Sequence, residues 1–495
     1  MLTPAEELGL SGQSLDSRVS RAFHKIPESQ IVEIAGRLRD EAYRRHLIYL
    51  RDGKGEAIRI MPRPLTILPD QIAYIHSVSL TILNALKRLP ELYLQDPSVR
   101  EILRLGPEEE AWFNACRGSS LPESDPVFAR LDAVVDLISP MWKNSLHFVE
   151  PNLCGVGGLH LVPTCDGIVK DVVLPLLKEF DGGLNLEVGH DFRDLLMQEI
   201  LDHLETLGRP RRNLCFIEPT HAGSGPDEQE ALARYYHDRY GLRVMHADPE
   251  DLSLRGNEVM CAGHAIELAY RDYEVRDLLA LEKAGVDVKP MHALFRQNRI
   301  ISSITGDFDQ KSCWEVFTDP YLSQTHFHAE ERQVFRRHIL WTRLLSDRKT
   351  SLPDGQMGEL LDFVRRDRES LVLKPNRSYG GSGVSLGPSM TQPEWDAAIE
   401  AAMGDNERWV VQQLASIPAS DFPVIGPDGS VHIEPFYVVM GFSPSRYGLG
   451  IMVRASQKQV VNVAQRGGMC AVMVGHAPSR LIGPGPHLHH LGGIV

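Results

Sequence analysis

The chain has 495 residues, 43% of them hydrophobic and 24% charged, with a formal net charge of −14. That length holds roughly two to four domains around a large buried core. The acidic balance excludes a general binder of nucleic acid or of an anionic membrane, because either needs a basic face.

Residues 1–145 are expected to be mainly helical. Apolar residues recur at helical spacing from Ile31 to Leu38 and from Ile72 to Leu86, with charges between them. The opening residues carry no basic stretch followed by an apolar one, so no signal peptide is expected. No apolar run reaches the ~20 residues that span a bilayer. Seven cysteines, scattered and without a CxxC pair, point to reduced thiols and a cytoplasmic protein.

From Leu146 to Pro163 the chain turns glycine-rich and poor in charge. Residues 213–300 then alternate between periods. Strands are expected at Asn213–Glu218, Leu242–Ala247 and Ile266–Tyr270, with helices at Asp227–Tyr240 and Val275–Ala284. This β-α-β order marks a parallel sheet. Residues 146–305 are therefore read as a metal-motif strand plus an α/β substrate domain, and 306–480 as a nucleotide-binding region. Within the latter, strands are expected at Leu371–Lys374, Trp409–Gln413, Phe436–Val439, Gly450–Val453 and Val460–Val463, with a helix near 392–403. Residues 481–495 read as a loose tail, in which the His487, His489 and His490 cluster is solvated.

Five segments carry chemistry. The apolar run Leu371–Leu373 delivers Lys374, and a loop with Gly380, Gly381 and Gly383 follows. These glycines permit positive φ and leave no Cβ between backbone amides and a phosphate chain. A lysine-capped strand and a surface turn is the plainer alternative. Glu150 and Asn152, two apart on an extended strand, project to one side as hard oxygen ligands suited to Mg²⁺. Lys311 stands at an expected helix start. Arg271, beside Asp272 and Tyr273, ends a sheet strand where open α/β sheets bind ligands, and could hold a carboxylate or pair with its acidic neighbours. A last apolar strand delivers Arg454, and Arg466, Gly467 and Gly468 follow, a pattern that a surface hairpin also produces.

Taken in this order, the five segments resemble the ATP-grasp superfamily in its circularly permuted form, with eukaryotic-type glutathione synthetase and glutathionylspermidine synthetase-like ligases as the nearest pattern. Glu150–Leu159 is similar to the family's Glu-x-Asn motif and glycine loop, and Lys374–Gly383 to its Lys-Pro-x-Arg loop. Arg271–Tyr273 is similar to its Arg-Asp-Tyr segment, and Val453–Ser456 with Gly467 and Gly468 to its Val-Arg strand and Gly-Gly loop. The resemblance implies an α/β fold of α+β elements that holds ATP and Mg²⁺. It implies a reaction that joins the carboxylate of a small amino acid or peptide to an amine through an acyl phosphate, with ADP and phosphate released.

By the same resemblance Lys311, Lys374, Asn376, Gly380, Gly381, Gly383, Gln412 and Gln413 would bind ATP, and Glu150 and Asn152 would bind the metal. Arg271, Tyr273, Gly467 and Gly468 would contact substrate, and Arg454, Arg271 and Arg377 would carry catalytic charge. Two positions depart from the pattern. Ser378 stands where glutathione synthetase has a metal-binding glutamate, leaving a third ligand to come from elsewhere, such as Glu434. Ser456 replaces a lysine, with Lys458 close by. An ATP-binding regulatory protein without turnover, or a phosphotransferase, are the alternatives, and a homodimer is compatible with the family.

Overall fold

The computed structural model of the chain describes residues 11–117, 126–220, 223–426, 428–461 and 467–476. Three sheets define the working part of the molecule. The largest is antiparallel, in the order Gly468–Met469, Gly448–Ser456, Val431–Ser445, Arg130–Val134 and His147–Asn152, with Ala419–Ile425 also paired to Val431–Ser445. A second antiparallel sheet runs Thr342–Leu344, Trp409–Gln413, Leu371–Pro375 and Ser385–Leu386. The third is parallel, in the order Ile300–Ile301, Leu268–Arg271, Asn213–Ile217 and Arg243–Ala247.

The parallel sheet follows from its residues. Leu214 to Ile217 and Leu268 to Arg271 are all buried, as strands covered on both faces must be. The helix Gln229–Tyr240 packs Leu232 and Tyr236, one turn apart, into the core and stops at Gly241, whose φ of +68° only glycine adopts without strain. The Lys374 strand is part of a smaller unit with its own apolar core. Trp395 on the helix Gln392–Gly404 is fully buried there, with its indole N–H donated to the Val364 carbonyl at 2.8 Å. Thr391 begins that helix, its N–H held by the Glu394 carboxylate at 2.7 Å.

Residues 12–145 are mostly helical, yet they also supply strands to distant partners. Arg130–Val134 sits inside the six-stranded sheet, and Leu65–Ile67 pairs in parallel with Val472–Gly475. The hairpin Ile48–Arg51 with Lys54–Ala57 reaches Gly225–Pro226 beside the parallel sheet. Val460 and Val461 lie outside any strand, contrary to expectation, and Asn462 to Arg466 lie outside the described residues. The expected tail and its histidines also lie outside them. All seven cysteines are buried free thiols. No helix among the described residues is long and apolar enough to cross a membrane.

Candidate active site

Three sheets converge on one cavity of about 930 Å³. The Lys374 sheet forms one wall, the six-stranded sheet another, and the carboxyl end of the parallel sheet closes a third side. Val149, Val372, Leu386, Leu414, Ile417 and Val439 make an apolar slot between the first two walls. A flat aromatic base fits such a slot, because the hydrophobic term needs only area and no partner.

Beside the slot lies a polar cluster built by strand register. Arg130 pairs with Asn152 and Asp132 with Glu150 across the antiparallel ladder, so all four side chains share one face. The Lys311 ammonium lies 2.9 Å from Glu150 Oε1 and donates to the Ser378 carbonyl at 2.6 Å. The Lys374 ammonium donates to Gln412 Oε1 at 2.7 Å. Burial holds Lys374 down at about 8; Glu150 and Asp132 oppose that shift and Lys311 adds to it. Asp132 takes Arg130 Nε and Arg454 Nη2, both at 2.8 Å. Burial alone would raise that carboxyl, but the two guanidiniums overcome it and hold it at about 2. Among the described residues the buried Arg454 Nε has no hydrogen-bond partner, and such a donor can take an anion.

The loop after Lys374 curls over this cluster. Gly380, Gly381 and Gly383 all have positive φ, as the glycine pattern requires, and a Cβ on Gly381 would lie 2.5 Å from the Val460 side chain. Ser378 to Ser382 line the cavity. Tyr379 is tied by its hydroxyl to Glu274 and Asp309. Burial, with the nearby Glu274 and Asp307 charges, pushes Asp309 up to about 7. The loop after Glu150 is fixed differently. Buried Glu228 accepts the N–H groups of Gly158, His160 and Leu161, at 2.8, 2.7 and 3.2 Å. Those amides are therefore not a phosphate cradle.

Several expected site residues are placed elsewhere. Arg271 is fully buried outside the cavity, because its donors are taken by the carbonyls of Ser302, Tyr273 and Ser303 and by the Asp307 carboxylate at 2.8 Å. Arg377 turns away to Glu109 at 2.7 Å. Asn376 is buried and bonds the Ser312 N–H and Gln310, bracing Lys311 rather than facing a nucleotide. Gln413 is exposed on the far side of its strand, and Gly383, Gly467 and Gly468 do not line the cavity. Gln412 does line it, but spends its amide on Lys374 and Thr342. Glu434 also lies outside, bonded to Gln457.

Brought together as expected are Glu150, Asn152, Lys311, Lys374, Gly380, Gly381, Tyr273 and Arg454. Sequence reasoning missed Arg130 and Asp132, whose Arg-x-Asp spacing on an apolar strand matches that of Glu150 and Asn152. It also missed Tyr379, Glu274 and Asp309, which meet only through tertiary contacts.

No family model matches the chain. An uncharacterized protein of Mycobacterium tuberculosis and its counterpart in Mycobacterium bovis are 31% identical over 122 residues. That match spans 23% of this chain and only about a fifth, 21%, of the relatives' length. Among solved structures, a glutathione synthetase-like effector from Globodera pallida aligns over 91% of this chain and 98% of its own, with a TM-score of 0.60 at 11% identity. A putative gamma-glutamylcysteine synthetase from Methylobacillus flagellatus aligns over 80% of this chain and 88% of its own, at a TM-score of 0.37 and 13% identity. The chain shares its overall fold with the glutathione synthetase-like effector.

Proposed function

We propose that the protein is an ATP-dependent carboxylate–amine ligase whose adenine sits in the apolar slot and whose phosphates reach Lys374, Lys311 and the glycine loop. The observation that carries this reading is the shared cavity: two lysines, a glycine loop at positive φ and Arg454, whose Nε has no partner among the described residues, face one another across an apolar slot. Phosphoryl transfer needs positioning and charge neutralisation more than covalent help, and these groups supply both.

The carboxylate oxygen of a small amino acid or peptide would attack the γ-phosphorus while the bond to the bridging oxygen breaks and ADP leaves. The amine nitrogen, having lost a proton, would then attack the acyl carbon and phosphate would leave. Arg454, which lines the cavity, would offset the charge that accumulates on the reacting carboxylate and phosphate. The Ser378–Ser382 loop, anchored through Tyr379, shields the acyl phosphate from water.

Glu150 and Asn152 fit Mg²⁺: their oxygens share a face on the cavity wall, and Mg²⁺ is typically held by one or two carboxylates together with substrate phosphates. Bound there, the ion would neutralise charge on the phosphates. With Glu150 holding the ion, the Lys311 ammonium, now paired with Glu150 at 2.9 Å, would be free to contact the nucleotide phosphates.

Calorimetric titration with a non-hydrolysable ATP analogue and Mg²⁺, followed by ADP release on paired carboxylate and amine substrates, tests the reading. Absence of nucleotide binding refutes it. Ser378, in place of a metal-binding glutamate, favours the second reading of a nucleotide-binding protein without turnover. Binding with no substrate-dependent ADP would select that reading. A phosphate ester in place of an amide, seen by mass spectrometry, would select a phosphotransferase.

A further inference from the structure

The cavity has a second apolar part, separate from the slot assigned to the base. Met452, Leu161, Pro226 and Tyr49 line it, with Gly157 and Gly158 between them. Met452 lies on the strand Gly448–Ser456, two residues from Arg454, so the two side chains rise from one face about 7 Å apart. Tyr49 stands opposite Pro226 where Ile48–Arg51 pairs with Gly225–Pro226. An added Cβ on Gly158 would lie 3.4 Å from Met452 Sδ, and one on Gly157 would lie 3.7 Å from Pro226 Cγ. The two glycines thus form a bare floor between walls of methionine and proline.

That floor is fixed from behind. Buried Glu228 holds the N–H groups of Gly158, His160 and Leu161, and Arg130 Nη1 donates to the Gly157 carbonyl at 3.0 Å. Charge begins one step away. Gly441 is the cross-strand neighbour of Met452, and its absent side chain leaves room for Arg130, whose Cδ lies 2.7 Å from where a Cβ would stand. The Arg454 side chain is only 7% exposed, and its Nε has no partner among the described residues. A guanidinium donor open to an anion and an apolar pocket therefore stand side by side on one strand.

We infer that this pocket takes the side chain of the carboxylate substrate, and that this side chain is aliphatic or aromatic. The inference rests on the ligase reading for its chemistry and on the pocket walls for its ligand. With the reacting carboxylate at Arg454, the rest of the molecule is carried over Gly157 and Gly158 toward Met452, Leu161 and Pro226. A carboxylate or amide placed there would lose its water and find no donor on those three side chains. Asp272, which lines the cavity beside Gly155, adds repulsion to an anionic one.

The test is calorimetry on the full chain, with and without a non-hydrolysable ATP analogue and Mg²⁺. The probes are L-leucine, L-aspartate and glycine, each free and as its glycyl dipeptide. Leucine and aspartate share one branched shape and differ in ending on methyl groups or carboxylate oxygens. The leucine probe is expected to bind roughly tenfold to a hundredfold tighter than the glycine probe, the scale of burying one such side chain, and the aspartate probe no tighter than glycine. Gly157→Ala adds a methyl that meets only Pro226 and otherwise enters open space. It should weaken leucine roughly tenfold, by occupying the pocket, and leave glycine unchanged, which a general loss of structure would not do. Met452→Gln, close in volume but polar, should weaken leucine by a similar factor. Nucleotide affinity equal to the parent's reports that each variant is folded. The inference is overturned if aspartate or glycine binds as tightly as leucine, if none of the probes binds, or if either variant binds leucine as the parent does. Preference for leucine in a protein that binds no nucleotide would overturn the ligase reading and leave the apolar pocket standing.

Discussion

Burial lowers Lys374 to about 8, and that makes its proposed contact with a nucleotide measurable. A free lysine has a pKa of about 10.4, whereas burial at the cavity wall brings Lys374 to about 8, with Lys311 adding to the shift and Glu150 opposing it. A polyphosphate beside the ammonium favours the charged form, so its pKa must rise when nucleotide binds. The sign follows directly. Affinity is complete below the free-state value, where Lys374 is already protonated, and falls as pH rises through about 8. The limiting slope is about tenfold per pH unit. At pH near 8 each binding event should take up about half a proton, approaching one at higher pH.

Lys374→Met should weaken binding by roughly ten- to a hundredfold, the value of a charged hydrogen bond at about 1.5–3 kcal/mol. It should also abolish both the slope and the proton uptake. Titration of a non-hydrolysable ATP analogue in two buffers of different ionisation enthalpy, from about pH 7 to about pH 9.5, reads both quantities. Affinity that stays flat across this range, or a slope that survives in K374M, would refute the placement of Lys374 against the phosphates.

Three further outcomes are expected. Glu150→Gln removes the charged half of the Glu150 and Asn152 pair, so Mg²⁺ should tighten nucleotide binding in the parent and fail to do so in the variant, as titrations at graded Mg²⁺ would show. Glu228→Ala strands the N–H groups of Gly158, His160 and Leu161, which should cost about 1–3 kcal/mol and appear as a lower denaturation midpoint. Among the described residues Asp166 accepts only the Val472 N–H, at 3.2 Å, and burial with nearby Asp191 raises it to about 8. Because the folded state then holds a proton that the unfolded chain releases near pH 4, this group's contribution to stability falls as pH rises toward 8. Asp166→Asn should therefore raise the unfolding free energy at pH 8–9 by on the order of a few kcal/mol, read as a higher melting temperature, and leave both unchanged near pH 4.

What the sequence revealed and what it hid divide along a physical line. Strands whose burial is decided by their own apolar run, such as Asn213–Ile217 and Trp409–Gln413, were legible to within a residue or two, because composition alone commits them to a two-faced environment. Arg130–Val134 was not, because its place in the six-stranded sheet is set by partners as distant as Met440 and Gly441. Glu150 and Asn152 were legible as a pair because period two is local, and their cross-strand partners Asp132 and Arg130 were not, because register is a property of two strands.

Arg271 and Asp272 show the same division within a single peptide. The carboxyl end of a parallel strand is where open α/β sheets bind ligands, and Asp272 and Tyr273 line the cavity there. Which of two adjacent side chains faces that place is decided by alternation along the strand and by what lies behind the sheet. Here Ser302, Ser303 and Asp307 offer a ready-made socket for a guanidinium. Arg271 fills it, and the residue left facing the cavity is the acid. The charge presented at this end of the cavity is thereby the reverse of the one expected.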